Sequence, residues 1–460
     1  MMLNGKNVLV IGSGISGINA ASLLLRSGAK VSLFDSNDKL LIDDIKRKFM
    51  EETEIDIYVG ELPETVKEGL DEVVISPGVP IDNPLVEELR GRGVRISGEI
   101  ELAYEYAHGD VLAITGTNGK TTTTTLVGEI CSNYTKERGG DTYVVGNIGN
   151  PYTAVALDTK DDSIVVAEIS SFQLETTDTF RPRVSSILNI TPDHLNRHYT
   201  LENYVSVKER IALRQTKDDV IVLNFDDEYT RDFGKRVGCR VIYFTRTDYE
   251  SAKSAGCDVL HMNGDMIMYN DINVIDVNDM LLIGTHNYEN VMAAIGMTYA
   301  YGVPMDIITD TIRSFKAVEH RIEYVKTVKG VDYYNDSKGT NPDAAIKGIK
   351  AMKKKTVLIG GGFDKKSSYD EWIDAFDGKV KYLVLLGQTA DKIAECAREH
   401  GFNDIVMVSS MDEAIQKSYE LSESGEAVLL SPACASWGMF TNFEERGRIF
   451  KELVNALPED

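Results

Sequence analysis

The chain has 460 residues, 43% hydrophobic and 26% charged, a balance that argues against disorder or a coiled coil and suggests about three globular domains. Acidic residues (72) outnumber basic ones (49), for a formal charge of −23. The bulk surface therefore repels nucleic acid and anionic lipid, while a few buried donors can still hold an anionic small molecule.

The N-terminus, Met1-Met2-Leu3-Asn4-Gly5-Lys6, runs straight into a strand pattern without the basic and apolar stretches of a leader. No apolar run approaches the roughly 18 residues of a membrane helix, so a cytoplasmic protein without a membrane partner is expected. Val8-Leu9-Val10-Ile11 has the pattern of a buried strand, residues 15–26 have helical periodicity, and 31–34 and 73–75 are further strands. Strand–helix–strand order implies a parallel sheet with right-handed crossovers. Between the first strand and helix lies Gly12-Ser13-Gly14-Ile15-Ser16-Gly17, a G-x-G-x-x-G loop. Its glycines permit a tight turn and close approach of a phosphate to the helix N-terminus. Asp35 ends the next strand, where a ribose-binding carboxylate would sit. The motif alone does not separate a dinucleotide oxidoreductase, another nucleotide binder and a ligand-free turn.

A second α/β unit begins near Val111-Leu112-Ala113-Ile114, after the junction-like Ala107-His108-Gly109-Asp110. Its strand runs into Gly116-Thr117-Asn118-Gly119-Lys120-Thr121, a phosphate loop with Ile114 where the commonest pattern has glycine. Loop N–H groups would cradle phosphate oxygens, Lys120 would reach the terminal phosphates and the Thr121 hydroxyl could ligate Mg²⁺. The run Thr121 to Thr125 is a poor helix start, explained if its first two or three hydroxyls face phosphate and metal. Glu168 ends the apolar strand 164–167, where an acidic metal ligand is expected, and Asp193-His194 follows a strand over 185–190. Lys208, in a helical stretch over 204–213, reads by composition as a surface lysine. A strand at 220–223, short β-like runs over 255–283 and a helix over 287–301 complete this unit.

A third α/β unit begins near Arg321, with strands at 331–334, 356–359, 382–386 and 427–430. Asp336-Ser337-Lys338-Gly339-Thr340-Asn341-Pro342, Gly360-Gly361-Gly362-Phe363-Asp364-Lys365 and Ser431-Pro432-Ala433-Cys434-Ala435-Ser436 each close one of these strands. Three polar loops at strand carboxyl ends form the ligand edge of an open parallel sheet. The five cysteines (Cys131, Cys239, Cys257, Cys396 and Cys434) are far apart and include no C-x-x-C pair. They read as small buried residues kept reduced, not as a disulfide scaffold or thiolate zinc site.

The whole constellation resembles the ATP-dependent muramyl ligases of peptidoglycan precursor synthesis. The resemblance is carried by the run Ile114 to Thr121, Asp193-His194-Leu195, His286-Asn287-Tyr288-Glu289-Asn290, His320-Arg321 and the run Asp336 to Pro342. The first glycine loop with Asp35, Ser76-Pro77-Gly78-Val79-Pro80, the run Glu168 to Glu175 and the ending Ser431 to Trp437 resemble its D-glutamate-adding branch. The resemblance implies an α/β chain of three domains. These are a Rossmann-like UDP-binding domain (1–107), a central P-loop ATPase-like domain with a mainly parallel sheet (108–306) and a Rossmann-like amino-acid-binding domain (307–460). It implies a monomeric ligase that uses ATP and two Mg²⁺ to add D-glutamate to UDP-N-acetylmuramoyl-L-alanine through an acyl phosphate. Ile15, Ser16, Asp35, Ser36 and Gly78 then match UDP-binding positions, and Asn147 and His194 positions near the muramoyl-alanine. Gly116, Thr117, Asn118, Gly119, Lys120, Thr121, Thr122, Asn287, Asn290, Arg321 and Asp336 match the ATP site. Thr121, Glu168, His194 and Lys208 match Mg²⁺ sites, Lys208 at the position carbamylated in the family, and Lys120, His194 and Lys208 match the catalytic set. Thr340, Lys365, Ser436 and Phe443 match the D-glutamate pocket, where the spacing also admits Lys366. Asn37, Asn196 and Gly438 depart from the family pattern.

Overall fold

The computed structural model describes residues 3–49, 54–316 and 319–458; the outermost residues of the expected first and third domains lie outside these. The chain forms two compact units. One comprises Met1–Val277 with Glu289–Ile312, the other Asn278–Tyr288 with Arg313–Asp460.

The first unit holds two sheets. Strands β1 (Asn7–Ile11), β2 (Lys30–Asp35), β3 (Asp56–Val59), β4 (Glu72–Ile75) and β5 (Arg95–Gly98) form a parallel sheet in the order β3-β2-β1-β4-β5. The apolar runs at β1 and β4 are buried because helices cover both faces, the condition under which parallel strands lose polar alternation. Chain order reverses between β1 and β4, so the loops after these strands, 12–17 and 76–80, meet at the sheet's carboxyl edge. The helix Ile15–Arg26 follows the first loop and buries Ile18, Ala20, Ala21, Leu23 and Leu24. Its Gly17 lies so close to the loop that an added Cβ would stand 1.8 Å from the Gly12 carbonyl oxygen.

Nine strands form the second sheet: β6 (Asp110–Thr115), β7 (Thr142–Gly146), β8 (Ile164–Glu168), β9 (Val184–Ile187), β10 (Val220–Asn224), β11 (Arg240–Thr245), β12 (Asp258–Asn263), β13 (Met266–Tyr269) and β14 (Ile272–Asp276). Their order is β14-β13-β12-β11-β10-β9-β6-β8-β7. Strands β7 to β12 pair in parallel through β6, and the choppy stretch 255–283 supplies the antiparallel edge. The expected strand 185–190 ends at Ile187, although Leu188 N still donates to Thr115 O. The expected helix 204–213 is Leu201–Glu209, capped by the Thr200 side chain on Asn203 N, followed by a 3₁₀ turn Arg210–Ala212.

The two sheets of this unit are joined through the helix Glu99–Tyr106, which leaves β5 directly. Glu99 is fully buried and accepts from Thr153 N and Oγ1 (2.8 and 3.0 Å). Glu101 accepts the N–H groups of Asp178, Thr179 and Phe180 (2.9, 2.7 and 3.2 Å) and the Thr179 hydroxyl (2.6 Å). In Glu101 both carboxylate oxygens accept backbone donors, so the side chain substitutes for water on both partners.

The other unit holds β15 (Glu323–Val328), β16 (Val331–Asn335), β17 (Thr356–Gly360), β18 (Val380–Leu385), β19 (Ile405–Met407) and β20 (Ala427–Leu430), ordered β15-β16-β20-β17-β18-β19. All pairs are parallel except the β15–β16 hairpin. One face buries Leu358, Trp372, Leu383 and Ile393, the other Val357, Val384, Ile415 and Phe450. Since β20 lies between β16 and β17, the loops leaving these three strands are neighbours. Among the described residues no helix is long and apolar enough to cross a membrane.

Replacing Glu101 by alanine strands the N–H groups of residues 178–180. We expect the first unfolding transition in urea to lose about 3 kcal/mol or more, whereas an unchanged midpoint would show that the helix Glu99–Tyr106 does not anchor the two sheets.

Candidate active site

In the central domain the phosphate loop leaves β6 with Gly116 at φ +150° and Gly119 at φ +84°. A Cβ on Gly119 would come within 2.2 Å of Asn290 Oδ1, so glycine is what admits that buried carboxamide to the loop. The loop is braced from outside by Asn189. Its backbone carbonyl accepts from Thr117 N (2.9 Å), its Oδ1 from Asn118 N (2.8 Å), and its Nδ2 donates to Asn118 O (3.1 Å). Thr117 Oγ1 donates to Thr191 O at 3.1 Å. Sequence reasoning missed Asn189, because nothing in an Asn between apolar residues marks it as a loop clamp.

Lys120 opens the helix Lys120–Arg138, and its ammonium bonds the carbonyls of Gly116 (2.9 Å) and Thr117 (3.0 Å). Lys208 donates to the same Gly116 carbonyl at 2.9 Å, with its Nζ 4.7 Å from the centre of the Tyr204 ring. It is not the surface lysine its composition suggested. The capped helix Leu201–Glu209 turns it inward, leaving it 1% exposed. Burial, and then the neighbouring Lys120 charge, hold its amine well below the usual lysine range, with Asp193 opposing them weakly.

Glu168 ends β8 opposite Ile114 of β6. Its Oε1 accepts from Asn147 Nδ2 at 2.8 Å, and its Oε2 is buried without a hydrogen-bond partner. An orphaned carboxylate oxygen at the root of a phosphate loop, with the half-buried Thr121 on the same loop, fits an oxygen-seeking cation such as Mg²⁺. Thr121 and Glu168 would hold it. The threonine run is only partly turned to this purpose. Thr122, Thr123 and Thr124 are buried, and the hydroxyls of Thr123 and Thr124 have no hydrogen-bond partner among the described residues.

His194 has a left-handed backbone (φ 52°), is half exposed, and packs at a tilt against Phe172 with ring centres 4.9 Å apart and Nε2 3.5 Å from Asp193. Phe172 also carries Arg197, whose guanidinium lies 4.9 Å above the ring, grips Glu175 (3.3 and 2.6 Å) and donates to Val79 O in the 76–80 loop (3.0 Å). His194 is thus tied, through Phe172 and Arg197, to the first domain.

In that domain Asp35 does not project as an open carboxylate. Its Oδ2 accepts from Ser13 N and Oγ (2.9 and 2.7 Å) and its Oδ1 from Asn37 N (3.0 Å). Burial pushes its pKa up, but these bonds and Lys48 outweigh burial and hold it below the ordinary range. Ile15, 68% exposed, stands at the loop tip, with Ser16 half-buried and Ser36 and Gly78 exposed around it.

In the other unit, Asp336 follows β16 and is buried against the Ser431 hydroxyl (2.7 Å). Burial raises its pKa to about 7 in spite of Ser431, Arg321 and Arg446. Arg321 Nε is buried without a hydrogen-bond partner among the described residues. Arg446, unnoticed in the sequence, is 2% exposed and ties three segments together through Ser337 Oγ (2.9 Å), Ser337 O (2.8 Å) and Cys434 O (3.1 Å). Ser337 Oγ in turn donates to Phe443 O at 2.8 Å. Thr340 is half-buried, Ser436 buried and Phe443 half-buried at the start of the helix Phe443–Asn455. Lys365 lies 4.9 Å from the Trp437 ring, while Lys366 takes a left-handed backbone (φ 63°) with its N–H on Asp364 Oδ1. Gly438 sits at φ +87°, a conformation in which glycine replaces a side chain without cost. Asn287 Nδ2 donates to Ile283 O at 2.7 Å.

A phosphate loop with a buried acid and a buried lysine, in a chain that carries two further α/β sheets, defines the class, and comparison names it. Three family models match: the Mur ligase MurD-like N-terminal domain over residues 6–98, the Mur ligase middle domain over 114–298 and the Mur ligase glutamate ligase domain over 320–434. UDP-N-acetylmuramoylalanine–D-glutamate ligases of Lachnospira eligens and Clostridioides difficile are 53% and 46% identical, each alignment covering 99% of this chain and all of the relative. The chain belongs to the UDP-N-acetylmuramoylalanine–D-glutamate ligase family. Among solved structures, the UDP-N-acetylmuramate–alanine ligase MurC of Thermotoga maritima shares the fold, with a TM-score of 0.59 at 20% identity over 98% of this chain and 99% of that one.

The raised Asp336 pKa has a definite sign in stability. The folded group (about 7) binds a proton that the unfolded one (about 3.9) releases. Its contribution is therefore fully present below pH 4 and lost as pH rises to about 7. The melting temperature of Asp336→Asn minus that of the parent should grow more positive across this window and then level off. A flat difference would refute the burial effect.

Proposed function

We propose that the protein is an ATP-dependent amide ligase that adds D-glutamate to UDP-N-acetylmuramoyl-L-alanine through an acyl phosphate, a step of peptidoglycan precursor synthesis. The observation that carries the reading is the setting of the phosphate loop, where Lys120 and the buried Lys208 share one carbonyl beside the unsatisfied Glu168. The loop N–H groups and Lys120 hold the ATP phosphates, with Asn290, Asn287, Arg321 and Asp336 as nucleotide contacts. Bound Mg²⁺ supplies charge neutralisation at the transferring phosphoryl group, held by Thr121 and Glu168 and, at a second position, by His194 and Lys208.

The substrate carboxylate attacks the γ-phosphorus and ADP departs. Lys120 balances the charge that develops on the phosphoryl oxygens. The neutral amine of D-glutamate then attacks the acyl carbonyl, phosphate leaves, and the amine's proton passes to solvent. In the first domain Ile15, Ser16, Ser36 and Gly78 contact the UDP moiety. Asp35 acts mainly by holding Ser13 and Asn37 in place. Asn147 and His194 position the muramoyl-alanine. Thr340, Lys365, Ser436 and Phe443 receive D-glutamate, Lys365 as its carboxylate partner.

Lys208 acts as a carbamate. Burial and the Lys120 charge favour its neutral amine, which would add carbon dioxide and release a proton, so that an anionic oxygen ligand replaces a second cation beside Lys120. The enzyme works as a cytoplasmic monomer on small-molecule substrates.

Phosphate release should require ATP, Mg²⁺, UDP-N-acetylmuramoyl-L-alanine and D-glutamate together. Release with L-alanine or L-glutamate in its place would move the specificity, and release with none would refute the ligase reading. Lys120→Ala should lose turnover by about 10³-fold or more while UDP-sugar affinity, measured calorimetrically, stays within about threefold. Lys208→Ala should lose activity and recover part of it with added short carboxylic acids; absence of rescue would refute the carbamate.

A further inference from the structure

The sequence pattern led us to expect five buried thiols, but Cys257 and Cys396 are only half-buried. Cys396 has unusual company. It lies on the helix Ala390–Glu399, with His400 four residues on at the helix end, so the two side chains project from one face. The short helix Asp370–Asp374 supplies two carboxylates opposite them. His400 Nδ1 is 2.7 Å from Asp374 Oδ1, and its Nε2 is 3.1 Å from Asp370 Oδ1. One ligand atom each of Asp370, Cys396 and His400 lies within 4.8 Å of the other two. None of these residues has a part in the chemistry proposed above.

We propose that Asp370, Cys396 and His400 bind one zinc-class divalent cation, with Asp374 as the positioning residue of the histidine. A thiolate, an imidazole nitrogen and a carboxylate oxygen form the mixed donor set that zinc accepts, while Mg²⁺ selects oxygen alone. Donors on a tetrahedral ion at about 2.0–2.3 Å stand roughly 3.3–3.7 Å apart. The His400 Nε2 to Asp370 separation of 3.1 Å is already close to that, and the Cys396 sulfur lies within 4.8 Å of both. Asp374 on Nδ1 leaves Nε2 facing the other two donors, the arrangement that fixes ring orientation in metal-bound histidines. Three protein donors leave the fourth position to water or an added ligand. The simpler alternative is a His400 imidazolium paired with two aspartates, which makes no use of the thiol.

The test uses the metal-free full-length protein titrated with Co²⁺ in the absence of nucleotide. We expect one bound equivalent with a thiolate-to-cobalt charge-transfer band in the near ultraviolet. The phosphate-loop site has no sulfur donor and gives no such band. Cys396→Ser should abolish the band, and Asp374→Asn should weaken binding by about 10–100-fold, with Mg²⁺-dependent activity in zinc-free buffer unchanged in both. If Cys396→Ser folds poorly, Asp370→Asn provides the second reading and should weaken binding at least tenfold. No band in the parent protein, a band that survives Cys396→Ser, or an Asp370→Asn affinity equal to the parent's would overturn the site.

Discussion

Two ammonium groups on one buried carbonyl oxygen repel each other through a medium that screens them poorly. The Gly116 carbonyl brings Lys120 and Lys208 together, and burial with the Lys120 charge pulls the Lys208 amine well below the usual lysine range. Much else in the central domain follows from keeping that pair in place. The Thr200 cap starts the helix that buries Lys208, Tyr204 covers its amine, and Asn189 fixes the loop carbonyl that both lysines share. Glu168 completes the balance with an oxygen left unpaired by protein donors, so the local electrostatics favour one added cation over a second protonated lysine.

The two sheets of the first unit are joined by a similar logic with the opposite sign. Glu99 and Glu101 are buried acids held by hydroxyl and backbone donors, with Arg95 3.7 Å from Glu101. Backbone donors do not rotate away, so the joint resists shear as well as separation. Arg197 adds a second tie from Glu175 and Phe172 to Val79. A nucleotide loop in one domain and His194 in the next are therefore parts of one packed body.

Strands buried on both faces were readable because they are continuous apolar runs, as at β1, β6, β8, β10, β17 and β20. Edge strands such as β3, β7 and β19 were not named, because partial burial dilutes the apolar signal. Glycine loops were legible, since φ constraints and phosphate approach demand glycine at fixed spacing. The environment of a lysine was not. Lys208 has the same helical neighbours as any exposed lysine, and only the fold reveals that its face turns inward. Asn189 and Arg446 escaped notice for the same reason: their roles arise from carbonyls and amides that are remote in sequence.

The clasp that Asp35 places on Ser13 and Asn37 has a thermodynamic consequence. A glycine loop left to itself is among the most flexible of backbones, and a ligand that must order it spends part of its binding energy doing so. Here an internal carboxylate already occupies two of the loop's donors, Ser13 N and Oγ, and a third on the neighbouring Asn37. The loop meets its ligand preorganised, the entropy of ordering having been lost during folding. On the proposed function, affinity would report shape and chemistry at the tip, around Ile15 and Ser16, with little deduction for induced order, and association would be governed by encounter more than by rearrangement.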